Sequence, residues 1–328
     1  MKKFIIKRLL LSTLILFLVS MLLYGIMNPM AHRYINTRAQ MLAQKPGAKP
    51  KDEILKKLQK EYAIEDNVAV GYVKWLKKAV TLDFGKSWHW NENVISKFKK
   101  VIWNSFFLAL AALIIEMAVA IPLGITAARK QYSATDYAVT VFALLGISLP
   151  GFFFATILKY IFSVKLNWFD LYGAVSRNHD QLSMMGQIGD TIWHYILPVI
   201  TLAVISIGSL MRYTRTNMLE VLNSDYIRTA RAKGLSENVV INKHAFRNTL
   251  IPIVTILGSS LPGLFGGALV TETLFQIPGI GYTGYMSMTQ GDMPFSMFYL
   301  MFMAMLTLVG TFIADILYAV VDPRVRVN

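Results

Sequence analysis

Six apolar runs separated by polar segments set the pattern of this chain. Residues 9–27, 101–128, 135–162, 191–211, 249–275 and 295–321 are each long enough to cross a bilayer as a helix. The first is preceded by Lys2, Lys3, Lys7 and Arg8 and exceeds the usual apolar core of a signal peptide. No small-x-small cleavage pattern follows it, so it reads as a retained anchor. Residues 28–100 are mostly polar, with helix-compatible segments at 51–62 and 68–80, and read as a folded insertion. The pattern predicts an all-α polytopic membrane protein with six transmembrane helices. Its parts are an anchor (1–27), an extracellular insertion (28–100) and a five-helix core (101–328) with a polar loop at 212–248.

Charge orients that topology. On the side predicted to be cytoplasmic lie the N-terminal cations, Arg129, Lys130, Arg212, Arg215, Arg228, Arg231, Lys233, Lys243, Arg247, Arg324 and Arg326. The short outer loops hold only Lys165 and Arg177. Lys and Arg accumulate in short cytoplasmic loops, so both termini are placed in the cytoplasm; an insertion longer than about 60 residues escapes the rule, which accommodates its lysines.

Composition excludes whole classes of function. With 328 residues, 55% of them hydrophobic, the chain is too apolar for an ordinary soluble domain, and its net charge of +14 belongs to loops rather than to a nucleic-acid surface. There is no cysteine, hence no thiol catalysis and no disulfide. His32, His89, His179, His194 and His244 show no ligand spacing. No catalytic residues and no metal ligands are expected.

The longest polar interruption among the later runs is residues 225–252, DYIRTARAKGLSENVVINKHAFRNTLIP. Ser224 and Asp225 are helix openers and Gly234 suits a left-handed close, with a second start at Ser236. The segment predicts a helix, turn, helix outside the membrane. Its apolar residues need a covering partner. A basic loop that only meets anionic headgroups is the plainer reading.

Here the chain resembles the permeases of ABC importers. The spacing of Ala230 and Gly234 is similar to their EAA loop, and RTARAKGLS with HAFRNTLIP resembles the oligopeptide and dipeptide branch. The strict pattern places Glu, Ala, Ala where this chain has Arg228, Thr229 and Ala230. IPLG (121–124), SLPGF (148–152), LPVITLA (197–203), PGIG (278–281) and the terminal YAVVDPRVR (318–326) fall at matching places. WLKKAVTLDFGKS also matches, although Asn93 and Val94 stand where Pro-Val is expected. The resemblance covers about residues 80 to 328.

It implies a membrane transport subunit without its own ATPase site. Asp225, Tyr226, Ile227, Arg228, Thr229, Ala230, Arg231, Ala232, Lys233, Gly234 and Leu235 would couple it to cytoplasmic ABC ATPases. The other implied partners are a second permease and an extracytoplasmic substrate-binding protein, with membrane lipid around the spans. No cofactor is expected on this chain, since ATP and Mg belong to the partner ATPases. Peptides are the implied substrates, with nickel or glutathione as alternatives. A secondary transporter is disfavoured, for no internal repeat is visible.

Glu116 is the deepest ionisable residue in a span, and is either structural or part of a pathway; Lys159, Glu272 and Asp315 lie nearer span ends, within reach of headgroups. Pro122, Pro150, Pro198, Pro252 and Pro262 sit within spans and predict kinks. Ser259, Gly263 and Gly267 recur every fourth residue and predict close helix packing. Gly279, Gly281 and Gly284 spell GxGxxG but lack a preceding strand, and Gly85-Lys86-Ser87 lacks the first glycine of a phosphate loop, with Val80 in its place. Neither predicts a nucleotide site.

Overall fold

The computed structural model describes residues 2–62, 64 and 67–321. Among these the architecture is helical, with no β-sheet. The helices are α1 (Lys2–Ala43), α2 (Lys51–Glu61), α3 (Val68–Val80), α4 (Val94–Arg129), α5 (Ala134–Ser148), α6 (Gly151–Leu158) and α7 (Met184–Leu222). They continue with α8 (Asp225–Ala232), α9 (Glu237–Val239), α10 (Phe246–Ser260), α11 (Leu269–Phe275), α12 (Ile280–Thr289) and α13 (Met293–Val321). By length and composition α1, α4, α7 and α13 can each cross a membrane. The α5 segment and the helix from Gly151 to Lys165 are together long and apolar enough for a further span, as a broken span or a re-entrant loop bent by 100°. That bend falls at Pro150, which caps α6 instead of continuing α5, as SLPGF predicts.

The described residues divide into two compact units, one within residues 2–102 and 283–312, the other within 103–282 and 313–321. In the first, α1 runs unbroken past the predicted boundary at residue 27, because an apolar run marks the membrane-crossing part of a helix and not its end. The insertion therefore opens on the end of that helix. Its two short helices form where expected. Asn67 caps α3 by accepting from Ala69 N and Val70 N at 2.9 and 3.2 Å, while Asp52 and Glu53 favour the start of α2. Tyr24, Met27, Ala31, Met293 and Met297 form a core with Tyr72, Trp75 and Trp88 packed on it.

Buried Asp292 organises the turn after α3. Its carboxyl accepts from Ser87 Oγ, from Trp88 N at 3.1 Å, from His89 N at 3.3 Å and from Phe295 N at 3.3 Å. Ser87 is thus spent on a structural bond, in a turn that follows helix α3 rather than a strand. This is not phosphate-loop geometry.

In the second unit α7 is the central helix: half of its apolar window is buried within the chain, against 11% for α1 and 17% for α4. Glycines set its contacts. A Cβ at Gly208 would stand 2.5 Å from the Ala143 carbonyl, and one at Gly124 would stand 2.7 Å from the Met211 carbonyl, so α5 and α4 approach α7 at backbone distance. The α5 to α7 contact is pinned by Arg215, whose Nε and Nη2 donate to both oxygens of buried Asp136 at 2.7 and 2.8 Å.

The predicted span 249–275 is not one helix. It comprises α10, a 3-10 turn over Leu261–Phe265 and the short α11, with Gly267 at φ +80 in the break. Pro262 and three glycines within six residues cannot sustain a helix. The seam of Ser259, Gly263 and Gly267 accordingly does not exist as a helix face. Gly263 meets nothing, Gly267 packs on the backbone of Gly281, and the side chain of Ser259 lies outside the described residues. So does the end of the terminal motif, with Arg324 and Arg326.

Glu272 lies where it cannot reach a headgroup. It is fully buried, accepting from Ser105 Oγ at 2.7 Å, Ala268 N at 2.9 Å and Tyr282 N at 2.8 Å. Ser105 accepts in turn from Ile280 N at 2.7 Å. A Cβ at Gly279 would fall 2.3 Å from the Glu272 carboxyl carbon, so PGIG is the cradle of this carboxyl, and α12 begins within it, at Ile280. Lys159 is also inward, donating to the Leu274 carbonyl with its ammonium 4.2 Å from the Tyr172 ring centroid. In both cases a partner inside the protein replaces water or headgroups.

Candidate functional site

The helix, turn, helix of residues 225–252 forms as its local signals predict. Helix α8 begins at Asp225, although the Ser224 hydroxyl turns back to the Val221 carbonyl at 2.6 Å instead of capping. It closes at Gly234, φ +75, whose N–H donates to the Arg231 carbonyl at 2.9 Å. Arg231 then clamps the start of α9, donating from Nη2 and Nε to Glu237 at 2.7 and 3.1 Å. That bond lowers the Glu237 carboxyl below its usual range and raises Arg231. Both groups are substantially exposed, so the pair shapes the turn more than it stabilises the fold.

The burial pattern corrects one expectation. Ile227 and Ala230 do not await a partner: with Val240, Ile241 and Ala245 they pack against Ala128 of α4 and Met218 of α7, in a core belonging to this chain. A short helix beside two long ones has a covered face, and the spacing of residues 227 and 230 places both on it. What stays open is Tyr226 at 48%, Leu235 at 40% and Val239 at 40%, amid exposed Asp225, Arg228, Thr229, Arg231, Ala232, Lys233 and Gly234. The segment is a self-packed hairpin that displays three large apolar side chains among cations.

Glu116 lies mid-helix in α4, half-buried, beside exposed Ile114 and Ile115. The structure gives its carboxyl neither a hydrogen bond nor an ion pair among the described residues.

Two further polar sites were not legible. The Asp136 and Arg215 pair joins residues 79 apart with no motif. The histidines are not all scattered: His179 Nδ1 lies 2.7 Å from Asp190, and His194 lies 3.0 Å from Asp170, with its Nδ1 2.8 Å from the Asp190 main-chain oxygen. The i, i+4 spacing of Asp190 and His194 was the available signal. Together these contacts fasten the loop after α6 to the start of α7. No group of three or more possible ligands among the described residues is arranged to hold a metal.

Long apolar helices, a central glycine-packed helix and an outward-facing polar hairpin define a multi-pass protein of the plasma membrane. Residues 120–327 match the family described as the binding-protein-dependent transport system inner membrane component, and the chain belongs to that family, the permease components of ABC importers. It is similar to the oligopeptide transport system permease protein AppB of Bacillus subtilis, at 38% identity over 99% of this chain and 100% of that one. It is also similar to the dipeptide transport system permease protein DppB of Bacillus subtilis, at 34% identity over 84% of this chain and 85% of that one. A putative peptide permease protein of Brucella ovis is 35% identical over 83% of this chain and 84% of its own length.

Proposed function

We propose that this chain forms, with a second permease subunit, the translocation pathway of an ABC importer for peptides. Separate cytoplasmic ATPases drive it and an extracytoplasmic binding protein supplies it. The observation that carries the substrate class is the likeness to permeases named for oligopeptides, over 99% of the chain, and for dipeptides, over 84% of it. The hairpin supports the coupling role, since Tyr226, Leu235 and Val239 are held on a stiff scaffold and open to a partner. ATP and Mg would reside on the ATPases.

In this reading six spans, the broken 246–275 segment among them, leave both termini and residues 212–248 in the cytoplasm and the 28–100 insertion outside. Closure of the ATPases moves the hairpin as a rigid body. Its core contacts to α4 and α7 then pass that motion to the pathway. Glu116 faces the pathway, where an unpaired carboxyl within an apolar helix is tolerated next to water and suits the cationic amino end of a peptide.

The chain lacks cysteine, which makes the topology test clean. In intact cells a membrane-impermeant thiol reagent should label Lys60→Cys and spare Ser236→Cys. Labelling of the second with protection of the first would invert the topology. For function, proteoliposomes containing all subunits should take up a labelled peptide only with ATP inside, and this chain purified alone should neither bind nor hydrolyse ATP. ATP-independent uptake by the chain alone would sink the proposal.

A further inference from the structure

The first unit carries a half-open cavity of about 940 Å³, lined by none of the residues of the 225–252 hairpin. Its floor is made by α1, through Tyr24 and Asn28, and by the first turns of α13, through Met293 and Met297. Both helices are among those long and apolar enough to cross a membrane, and Asn28 follows directly on the apolar run 9–27. Its wall is α3, which contributes Lys74, Lys77 and Lys78, with Arg38 and Lys86 nearby and only Glu61 and Asp83 opposed to them.

Three features bear on what it holds. Asn28 is 2% exposed and lines the cavity, and its amide nitrogen has no hydrogen-bond partner among the described residues. A buried donor without an acceptor costs free energy, and an acceptor entering the cavity relieves it. The excess of cations selects an anion. Finally, Tyr62, Trp75 and Trp88 also line it, and Val70, Val73 and Val80 of α3 are exposed on the same side of the helix as Lys74 and Lys77, so that side mixes cations with apolar and aromatic groups, the composition of an element lying in the headgroup layer.

We propose that this cavity binds the phosphate headgroup of an anionic phospholipid. The Asn28 amide and the α3 lysines receive the phosphate, and the aromatic rim packs on the glycerol and upper acyl chain. The assignment to the outer leaflet rests on the external placement of residues 28–100. Binding itself does not, so the test below and the cysteine labelling fail independently. The site also gives the insertion a task of its own: an occupied cavity ties α3 to the middle of α1 and the first turns of α13.

The test uses the full chain, stripped of lipid in neutral detergent, titrated with phosphatidylglycerol, phosphatidylcholine or inorganic phosphate and read by native mass spectrometry. One phosphatidylglycerol should be retained per chain, with phosphatidylcholine and inorganic phosphate failing to replace it. The triple variant Lys74→Gln, Lys77→Gln, Lys78→Gln should weaken retention by about a hundredfold, each lysine near an anionic headgroup being worth about fivefold. The triple variant Lys56→Gln, Lys57→Gln, Lys60→Gln, which removes equal charge from exposed positions on α2, should retain the lipid as the wild type does. Asn28→Leu should lose retention while raising the unfolding temperature of the empty chain. If that variant does not fold, the α3 triple decides alone. Equal retention of the two phospholipids, or equal loss in both triples, would overturn the proposal. Inorganic phosphate displacing the lipid at millimolar concentration would also overturn it, reducing the cavity to a small-anion site.

Discussion

Leu235→Asp should leave the chain folded and strip it of its ATPase, whereas Ala230→Asp should cost the chain its own stability. The two residues are five apart in one hairpin, yet Ala230 is packed against α4 and α7 and Leu235 is open. Placing a carboxylate at residue 230 buries an unpaired charge in an apolar core, at a cost of roughly 3 kcal/mol or more. At residue 235 water solvates the new charge in the free chain. The loss is then felt only in the complex, where removing an apolar anchor and burying a charge costs at least about 2 kcal/mol, or about thirtyfold in affinity. Gly234→Val is a third case: the space around it is empty, so only the backbone at φ +75 resists, by about 1–2 kcal/mol. The measurements are thermal unfolding of each variant in detergent and ATPase co-purification with its partner subunits. Wild-type ATPase retention in Leu235→Asp would remove the hairpin from the coupling interface, and an unchanged unfolding temperature in Ala230→Asp would contradict the packing described for it.

That contrast shows how far local sequence signals reach. Helix starts at Asp225 and Val68, the close at Gly234 and the break at Pro150 are written in a few neighbouring residues, and each formed where expected. Which face a helix buries is a tertiary fact. Ile227 and Ala230 read as a docking face because nothing nearby says that α4 and α7 run alongside. The end of α1 was missed because polar Arg33, Asn36 and Arg38 continue a helix as readily as apolar residues do once it is nucleated. The small-residue repeat at Gly263 and Gly267 failed for the opposite reason: a periodicity of four was read in a segment whose proline and glycines had already ended the helix.

Glu272 is the case where sequence reasoning failed most instructively, and it carries the other large effect. Its partner Ser105 is 167 residues away, so nothing local marks the carboxyl as buried. Its two other donors are main-chain N–H groups of Ala268 and Tyr282, and a carboxyl that fixes two chain segments by accepting from both cannot be removed without orphaning all three donors. Glu272→Leu should therefore cost about 1–3 kcal/mol for each donor left without an acceptor, enough to remove most of a typical folding stability. Glu272→Gln keeps the shape and one acceptor oxygen while turning an amide N–H against the Tyr282 N–H or the Ala268 N–H, so it should fall between Leu and wild type. Gly279→Ala tests the cradle from the other side. Its new Cβ would lie 2.3 Å from the carboxyl carbon, a clash that costs about 1–3 kcal/mol because both neighbours are held by hydrogen bonds. In a Glu272→Ala background that obstruction is gone, so the same Gly279→Ala change should cost well under half as much. Thermal unfolding of the wild type, both alanine variants and the double variant in one detergent measures the coupling. Additive costs across that cycle would mean that the glycine is required by its backbone alone and that the carboxyl does not shape the PGIG turn.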